Sequence, residues 1–169
     1  LVLVDVEGGK VQAKMPTPLS GPCLLPRWAD PVLLLASRAG TVISVDLENR
    51  LINWERSLKK MLNGDIEVGE GNIYLQTQDS LLYIIDIDSG ADAVRPLSKV
   101  DSPPLLASGV LYYGTDDGKI IALNPKTLAV IRSINIGEAV SVRPILLGEN
   151  LYAGTRTGRI IRINKIARP

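Results

Sequence analysis

Histidine is absent from the 169 residues and cysteine occurs once, at Cys23. Without histidine the commonest general base, the commonest zinc ligand and every Ser-His or Cys-His nucleophilic pair are excluded. A single cysteine excludes an internal disulfide. It leaves the compartment open, because a reducing cytosol and a disulfide-free periplasmic protein both fit. An excess of either charge is missing too: 19 Lys and Arg against 18 Asp and Glu leave +1. No global field draws the chain to nucleic acid or to an acidic membrane, so the default partner is a protein or a small molecule. Long apolar runs are lacking as well. The longest, such as 32–36, have strand length, far below the roughly 18 residues of a span. The opening Leu-Val-Leu-Val-Asp-Val is no signal peptide, having no basic start and an early Asp5. It is expected to follow a processed beginning or to open a piece of something longer.

What is present is repetition. "LYYGTDDGKIIALNPKTL" (111–128) returns forty residues later as "LYAGTRTGRIIRINKIAR" (151–168). Anchoring on the Asp or Asn after an apolar residue gives Asp5, Asp46, Asp86, Asn124 and Asn164, at spacings of 41, 40, 38 and 40. Other columns then align: Gly40, Ser80, Gly118 and Gly158; Ser37, Thr77, Thr115 and Thr155; Leu34, Tyr74, Tyr112 and Tyr152. Within a unit the signals are short β-branched or aromatic runs and tight turns. Leu111 to Thr115 is one strand, Asp116-Asp117-Gly118 a hairpin turn, Lys119 to Leu123 the return and Ala129 to Ile134 a further strand. A fourth strand precedes each of these, expected at 22–25, 66–68, 104–107 and 144–147. In the third strand Ile43, Val45 and Leu47 alternate with Val42 and Ser44, leaving both faces largely apolar. A sheet packed between two neighbours has that pattern.

A four-strand unit of about 40 residues is the signature of a propeller blade. The expected fold is therefore all-β, a propeller or propeller segment of about four blades of four antiparallel strands. The expected division is one domain over 1–169: a partial blade at 1–18, blades at 19–61, 62–99 and 100–137, and an incomplete blade at 138–169. A four-bladed ring, a segment of a larger ring, and two chains closing a ring of about eight blades all fit that count.

The residues resemble the quinoprotein-like, or PQQ-repeat, propeller family, whose unit reads Ala-x-Asp-x-x-Thr-Gly-x-x-x-Trp. Here Asp46 is followed by Trp54, Asp86 by Ser89-Gly90, Asp5 by Gly8-Gly9, and Ala122-x-Asn124 by Thr127. The resemblance covers essentially the whole chain and implies that Trp54 packs between blades. Ala13, Val94 and Arg132 stand where other units would carry that tryptophan. The family holds quinone- and calcium-dependent dehydrogenases as well as cofactor-free BamB-type scaffolds and lumenal sensor domains. The dehydrogenases carry adjacent cysteines, which Cys23 alone does not provide. The resemblance therefore implies a non-catalytic protein-binding scaffold without cofactor. A dehydrogenase fragment and an extracytoplasmic sensor domain of a larger receptor or kinase stand as alternatives. It also implies an extracytoplasmic location.

Asp116-Asp117-Gly118-Lys119 could hold a hard cation, but the equivalent turns at 38–40 and 156–158 lack carboxylates, which favours a solvated hairpin. As equivalent turns these place Arg38, Asp79, Asp116, Asp117, Arg156 and Arg159 along one face, a mixed-charge rim suited to a protein partner. Trp28, expected in a loop between the first two strands, is either an interface anchor or a plug between blades. The basic stretch 156–168 has no interleaved aromatic, and nucleic-acid binding is not expected. Cys23 reads as a small buried hydrophobe. Open strand edges predict strand addition, in a homo-oligomer or with the remainder of a larger propeller.

Overall fold

The computed structural model describes residues 1–4, 7–97 and 100–164, and these form strands, turns and bridges without a helix. Five antiparallel sheets follow one another along the chain. The first, blade 0, pairs β1 (Val2–Val4) with β2 (Val11–Lys14). Blade I is β3 (Arg27–Ala29), β4 (Val32–Ala36), β5 (Thr41–Asp46) and β6 (Leu51–Ser57). Blade II is β7 (Glu67–Gly69), β8 (Asn72–Gln76), β9 (Leu81–Asp86) and β10 (Asp92–Pro96). Blade III is β11 (Leu105–Ala107), β12 (Val110–Gly114), β13 (Lys119–Leu123) and β14 (Val130–Asn135). Blade IV is β15 (Ile145–Leu147), β16 (Asn150–Gly154) and β17 (Ile160–Ile163). Repeated four-strand meanders stacked face to face are a β-propeller.

The packing explains the apolar pattern of the third strands. In β5 every residue from Thr41 to Val45 is buried, so both faces are covered. One hydrophobic cluster fills each junction. Met15 with Leu35, Ile43 and Val45 joins blades 0 and I. Leu34, Ala36 and Val42 with Ile73, Leu75 and Ile85 join I and II. Tyr74 and Leu82 with Leu111, Tyr113 and Leu123 join II and III. Tyr112, Ile120 and Ala122 with Val140, Leu151 and Ala153 join III and IV. A sheet with a wet face would have polar residues at alternate positions; the middle strands of blades I, II and III do not, because each is sandwiched between two neighbours.

The first strands of blades II, III and IV lie within one residue of the bounds expected, and that of blade I departs from them. In blade I the strand is Arg27–Ala29, and residues 22–25 contribute only a bridge from Cys23 to Ser37. The same bridge recurs as Leu62 to Thr77, Val100 to Thr115 and Val140 to Thr155. Each blade is thus entered by one apolar residue that pairs once, and the true inner strand follows four or five positions later. Trp28 accordingly lies on β3 opposite Leu33 and not in a loop. Its structural equivalents are Val68, Leu106 and Leu146, opposite Ile73, Leu111 and Leu151. Those three pack into junction clusters, whereas Trp28 is 57% exposed. Cys23 is also exposed, which corrects the expectation of a buried thiol. Both residues face the side where blade 0 has only its two described strands.

Candidate functional site

The turns between the second and third strands fall on one side of the molecule, because each blade is the same meander. Every turn is closed by the Ser or Thr of the repeat. Ser37, Thr77, Thr115 and Thr155 are all buried, and each backbone N–H bonds the carbonyl four residues on: Thr41, Leu81, Lys119 and Arg159. The Thr115 hydroxyl accepts the Lys119 N–H at 2.8 Å, and Thr155 does the same for Arg159 at 3.1 Å. These hydroxyls also donate onward, from Thr77 to Asp79 Oδ1 at 2.6 Å and from Thr115 to Asp117 Oδ1 at 2.7 Å. The column read as a repeat marker is therefore the clasp that makes the turn rigid. Two glycines complete it. A side chain on Gly40 would collide with the Lys60 carbonyl, and one on Gly118 with the Glu138 backbone, where the linker to the next blade crosses the turn.

The rim charges are mostly spoken for. Asp79 pairs with Lys60 at 2.8 Å, Asp117 with Lys119 at 2.9 Å, Arg156 with Asp101 at 2.7 Å, and Arg159 with Glu138. The Lys60 ammonium, and then the Thr77 hydroxyl, hold the Asp79 carboxyl below its ordinary range. Thr157 and Thr155, followed by Arg159, do the same for Glu138. Lys60 is raised in turn, chiefly by its bond to Asp79. Arg38 and Asp116 are exposed and make no ion pair among the described residues. The predicted mixed-charge rim is thus a row of self-neutralised turns with two free charges of opposite sign. Lys165 and Arg168 of the basic stretch lie outside the described residues. Among the described residues no group of three or more His, Cys, Asp or Glu could hold a metal ion.

Trp54 sits between blades I and II. Its indole N–H donates to the Ile87 carbonyl at 2.8 Å, and the ring lies over Gly90, whose Cβ position is 2.7 Å from Cδ2. The residue matching Trp54 in blade II is Ala93, not Val94. Trp54 stands opposite Ser44, after a bulge that shifts the register before Val45. Blade II lacks that bulge, so counting along the chain overshoots by one and Ala93 stands opposite Ile84.

Sequence reading missed a polar belt along the inner strands. Glu67, 7% exposed, accepts the Leu106 N–H at 3.0 Å and pairs with the Arg143 guanidinium. One carboxylate thereby ties blade II to blades III and IV. Arg27 Nε donates to the Ile66 carbonyl at 3.1 Å, linking I to II. No motif flags these residues, because they match across 39 and 76 positions and only the stacking brings them together.

Stacked meanders, Ser/Thr-clasped turns and a tryptophan seated between blades define a propeller of quinoprotein-like repeats. The family model for outer membrane protein assembly factor BamB matches residues 1–168. The chain belongs to that family. BamB of Yersinia pestis is 23% identical over 134 residues, which cover 71% of this chain and 34% of that protein. The chain thus spans about a third of the length of this curated relative. The crystal structure of BamB from Moraxella catarrhalis superposes with a TM-score of 0.66 at 20% identity, over 79% of this chain and 46% of that one. The β-propeller domain of Cps50 (Swd1) from Myceliophteria thermophila gives 0.76 at 17% identity, over 99% and 62%. At such identities the structural likeness concerns the fold.

Proposed function

We propose that the chain is a non-catalytic scaffold that presents its rigid turn face to a protein partner. The observation that carries this is the clasped turn, built four times at equivalent positions. It holds Arg38, Asp79, Asp116, Asp117, Arg156 and Arg159 on one side with little left to order on binding, which lowers the entropic cost of association. Because most of these charges are already paired, Arg38 and Asp116 set orientation and encounter rate, and affinity comes from shape. The name of the BamB relatives, assembly factors for outer membrane proteins, supports a role in protein assembly and an extracytoplasmic location. A sensor domain or a dehydrogenase fragment finds no support in the residues of the turn face.

Photo-crosslinking residues installed singly at positions 38, 79, 116 and 156, in cells of the source organism, test the reading. The expected result is one common adduct from these four sites and none from Glu48 or Asp88 on the opposite side. Equal adducts from both sides overturn the choice of face. Dye reduction by the purified chain supplied with pyrroloquinoline quinone and calcium overturns the non-catalytic reading.

A further inference from the structure

The outer sides of two junctions correspond residue by residue. Between blades I and II, Arg56 of β6 reaches across to blade II, where its Nε donates to the Gly90 carbonyl and lies 3.6 Å from Asp92 Oδ1. Two residues before it, Trp54 fills the space between the blades. Between blades II and III the arginine recurs: Arg95 stands opposite Leu82 as Arg56 stands opposite Val42. Its surroundings do not recur. Ala93 takes the position of Trp54, and the position of Asp92, opposite Ile85, is taken by Val130, opposite Leu123. The exposed Arg95 guanidinium makes no ion pair or hydrogen bond among the described residues.

A groove of about 420 Å³ lies between Arg95 and Leu97 of blade II and Tyr113, Thr127, Leu128 and Val130 of blade III. Both blades are four-strand sheets, so chain bounds the groove on either side. Its size falls within the roughly 300–1,000 Å³ of small-molecule sites. Tyr113 is 4% exposed, and its hydroxyl has no hydrogen-bond partner among the described residues. Burial pushes this phenol up, so at neutral pH it keeps its proton and can donate. It stands at the Arg95 end, since Leu82, opposite Arg95, belongs to the same cluster. Leu128 and Val130 make the other end apolar, and the Thr127 hydroxyl there already accepts the Ala129 N–H at 3.3 Å. We propose that this groove binds a small aromatic carboxylate, the carboxylate bridging the Arg95 guanidinium and the Tyr113 hydroxyl and the ring lying against Leu128 and Val130. The first junction argues for that chemistry, because around the same arginine it places a carboxylate, Asp92, and a planar ring, Trp54. One ligand carrying both groups brings to the second junction what Ala93 and Val130 omit. An anion alone gains one exposed charge pair, and a ring alone leaves Arg95 and the buried hydroxyl without partners.

Isothermal titration of the chain with indole-3-acetate tests the proposal, with indole and acetate as its two halves. The expected result is a single site that takes indole-3-acetate at least roughly tenfold more tightly than either half. Arg95→Gln and Val130→Asp change side chains that are exposed, and unaltered thermal melting shows that both variants fold. Each is expected to weaken indole-3-acetate roughly tenfold and indole little. Val130→Asp does so because the new carboxylate holds Arg95 as Asp92 holds Arg56. Tyr113→Phe weakens binding about threefold. Arg56→Gln, at the junction that is already filled, leaves it unchanged. Absence of binding at millimolar indole-3-acetate overturns the proposal. So does binding that Arg95→Gln and Val130→Asp leave intact, or that acetate alone matches. No residue of the groove belongs to the turn face, so failure here leaves the scaffold reading standing.

Discussion

The junction between blades I and II and the junction between II and III solve one packing problem in opposite ways. In the first, the outer strand supplies a large residue, Trp54, and the next blade supplies the gap, Gly90. In the second, the outer strand has Ala93 and the next blade supplies the bulk. Leu128 stands where Gly90 stood, with the same left-handed backbone (φ 59° against 66°), and packs into the cluster with Tyr74 and Leu111. The aromatic has moved from the fourth strand to the second. Blade I pairs Leu34 with Trp54, while blade II pairs Tyr74 with Ala93. The carbonyl is reused as well: Ile87 O receives the Trp54 N–H, and its equivalent, Pro125 O, receives the Tyr74 hydroxyl at 3.5 Å. The exchange is incomplete, since a rim groove of about 420 Å³ lined by Arg95, Leu97, Leu128 and Val130 remains at the second junction. Total volume, and not the tryptophan itself, is what a blade junction conserves.

The largest effect that tests this contrast comes from Trp54→Ala. It empties the first junction and is expected to cost about 2–4 kcal/mol, somewhat below a fully buried tryptophan. Chemical denaturation measures it. Gly90→Ala comes next, at about 1–3 kcal/mol, because the new methyl meets the indole and the backbone is left-handed. In the double variant the clash is gone and the two costs add to less than their sum. Ala93→Trp overpacks the second junction and loses about 1–3 kcal/mol. Adding Leu128→Gly rebuilds the Trp54 and Gly90 arrangement there and is expected to recover most of the loss. Failure to recover would show that the two seats differ in more than volume. Tyr74→Phe removes one long hydrogen bond and is expected to cost below about 1 kcal/mol.

Acid produces the smallest effect, and it separates the two sides of the molecule very little. Asp79 and Glu138 at the clasped turns are held below their ordinary values, and so are Asp46 and Asp86. Asp46 is held chiefly by the Asn49 N–H, and Asp86 by the Ser89 hydroxyl and N–H. A depressed carboxylate stabilises the fold fully above its unfolded value and loses that contribution as pH falls through the folded one. Melting temperature is therefore expected to hold down to about pH 4 and to fall below it. Asp79→Asn combined with Lys60→Gln is expected to flatten the fall.

The repeat could be read at sequence level because its cause is local. The Thr column closes a turn four residues long, the Asp column caps the next one at Asn49 and Ser89, and both act within a few residues of themselves. Strand type and blade count follow from that same short range. The inner strand is misplaced in blade I alone. Cys23 lies in an apolar run that looks like a strand, yet it pairs only once before the chain runs on to Arg27–Ala29. Propensity cannot distinguish a bridge residue from a strand residue when both are apolar. Val94 was mistaken for the Trp54 equivalent because a bulge present in blades I and III is missing from blade II, and a bulge changes register without changing composition.

By itself, then, the order of residues determined the meander, the clasped turns and the two apolar faces of each blade, all of which depend on neighbours close in the chain. Tertiary structure alone decided which charges are free, since Asp101 lies 55 positions from Arg156 and Lys60 comes to Asp79 across a linker. It alone decided that Glu67 serves three blades. It also decided that Trp28 and Cys23 are exposed while their equivalents in other blades are buried or partly buried. Burial in a stacked fold is a property of the neighbouring blade, and no residue carries that information in its own repeat.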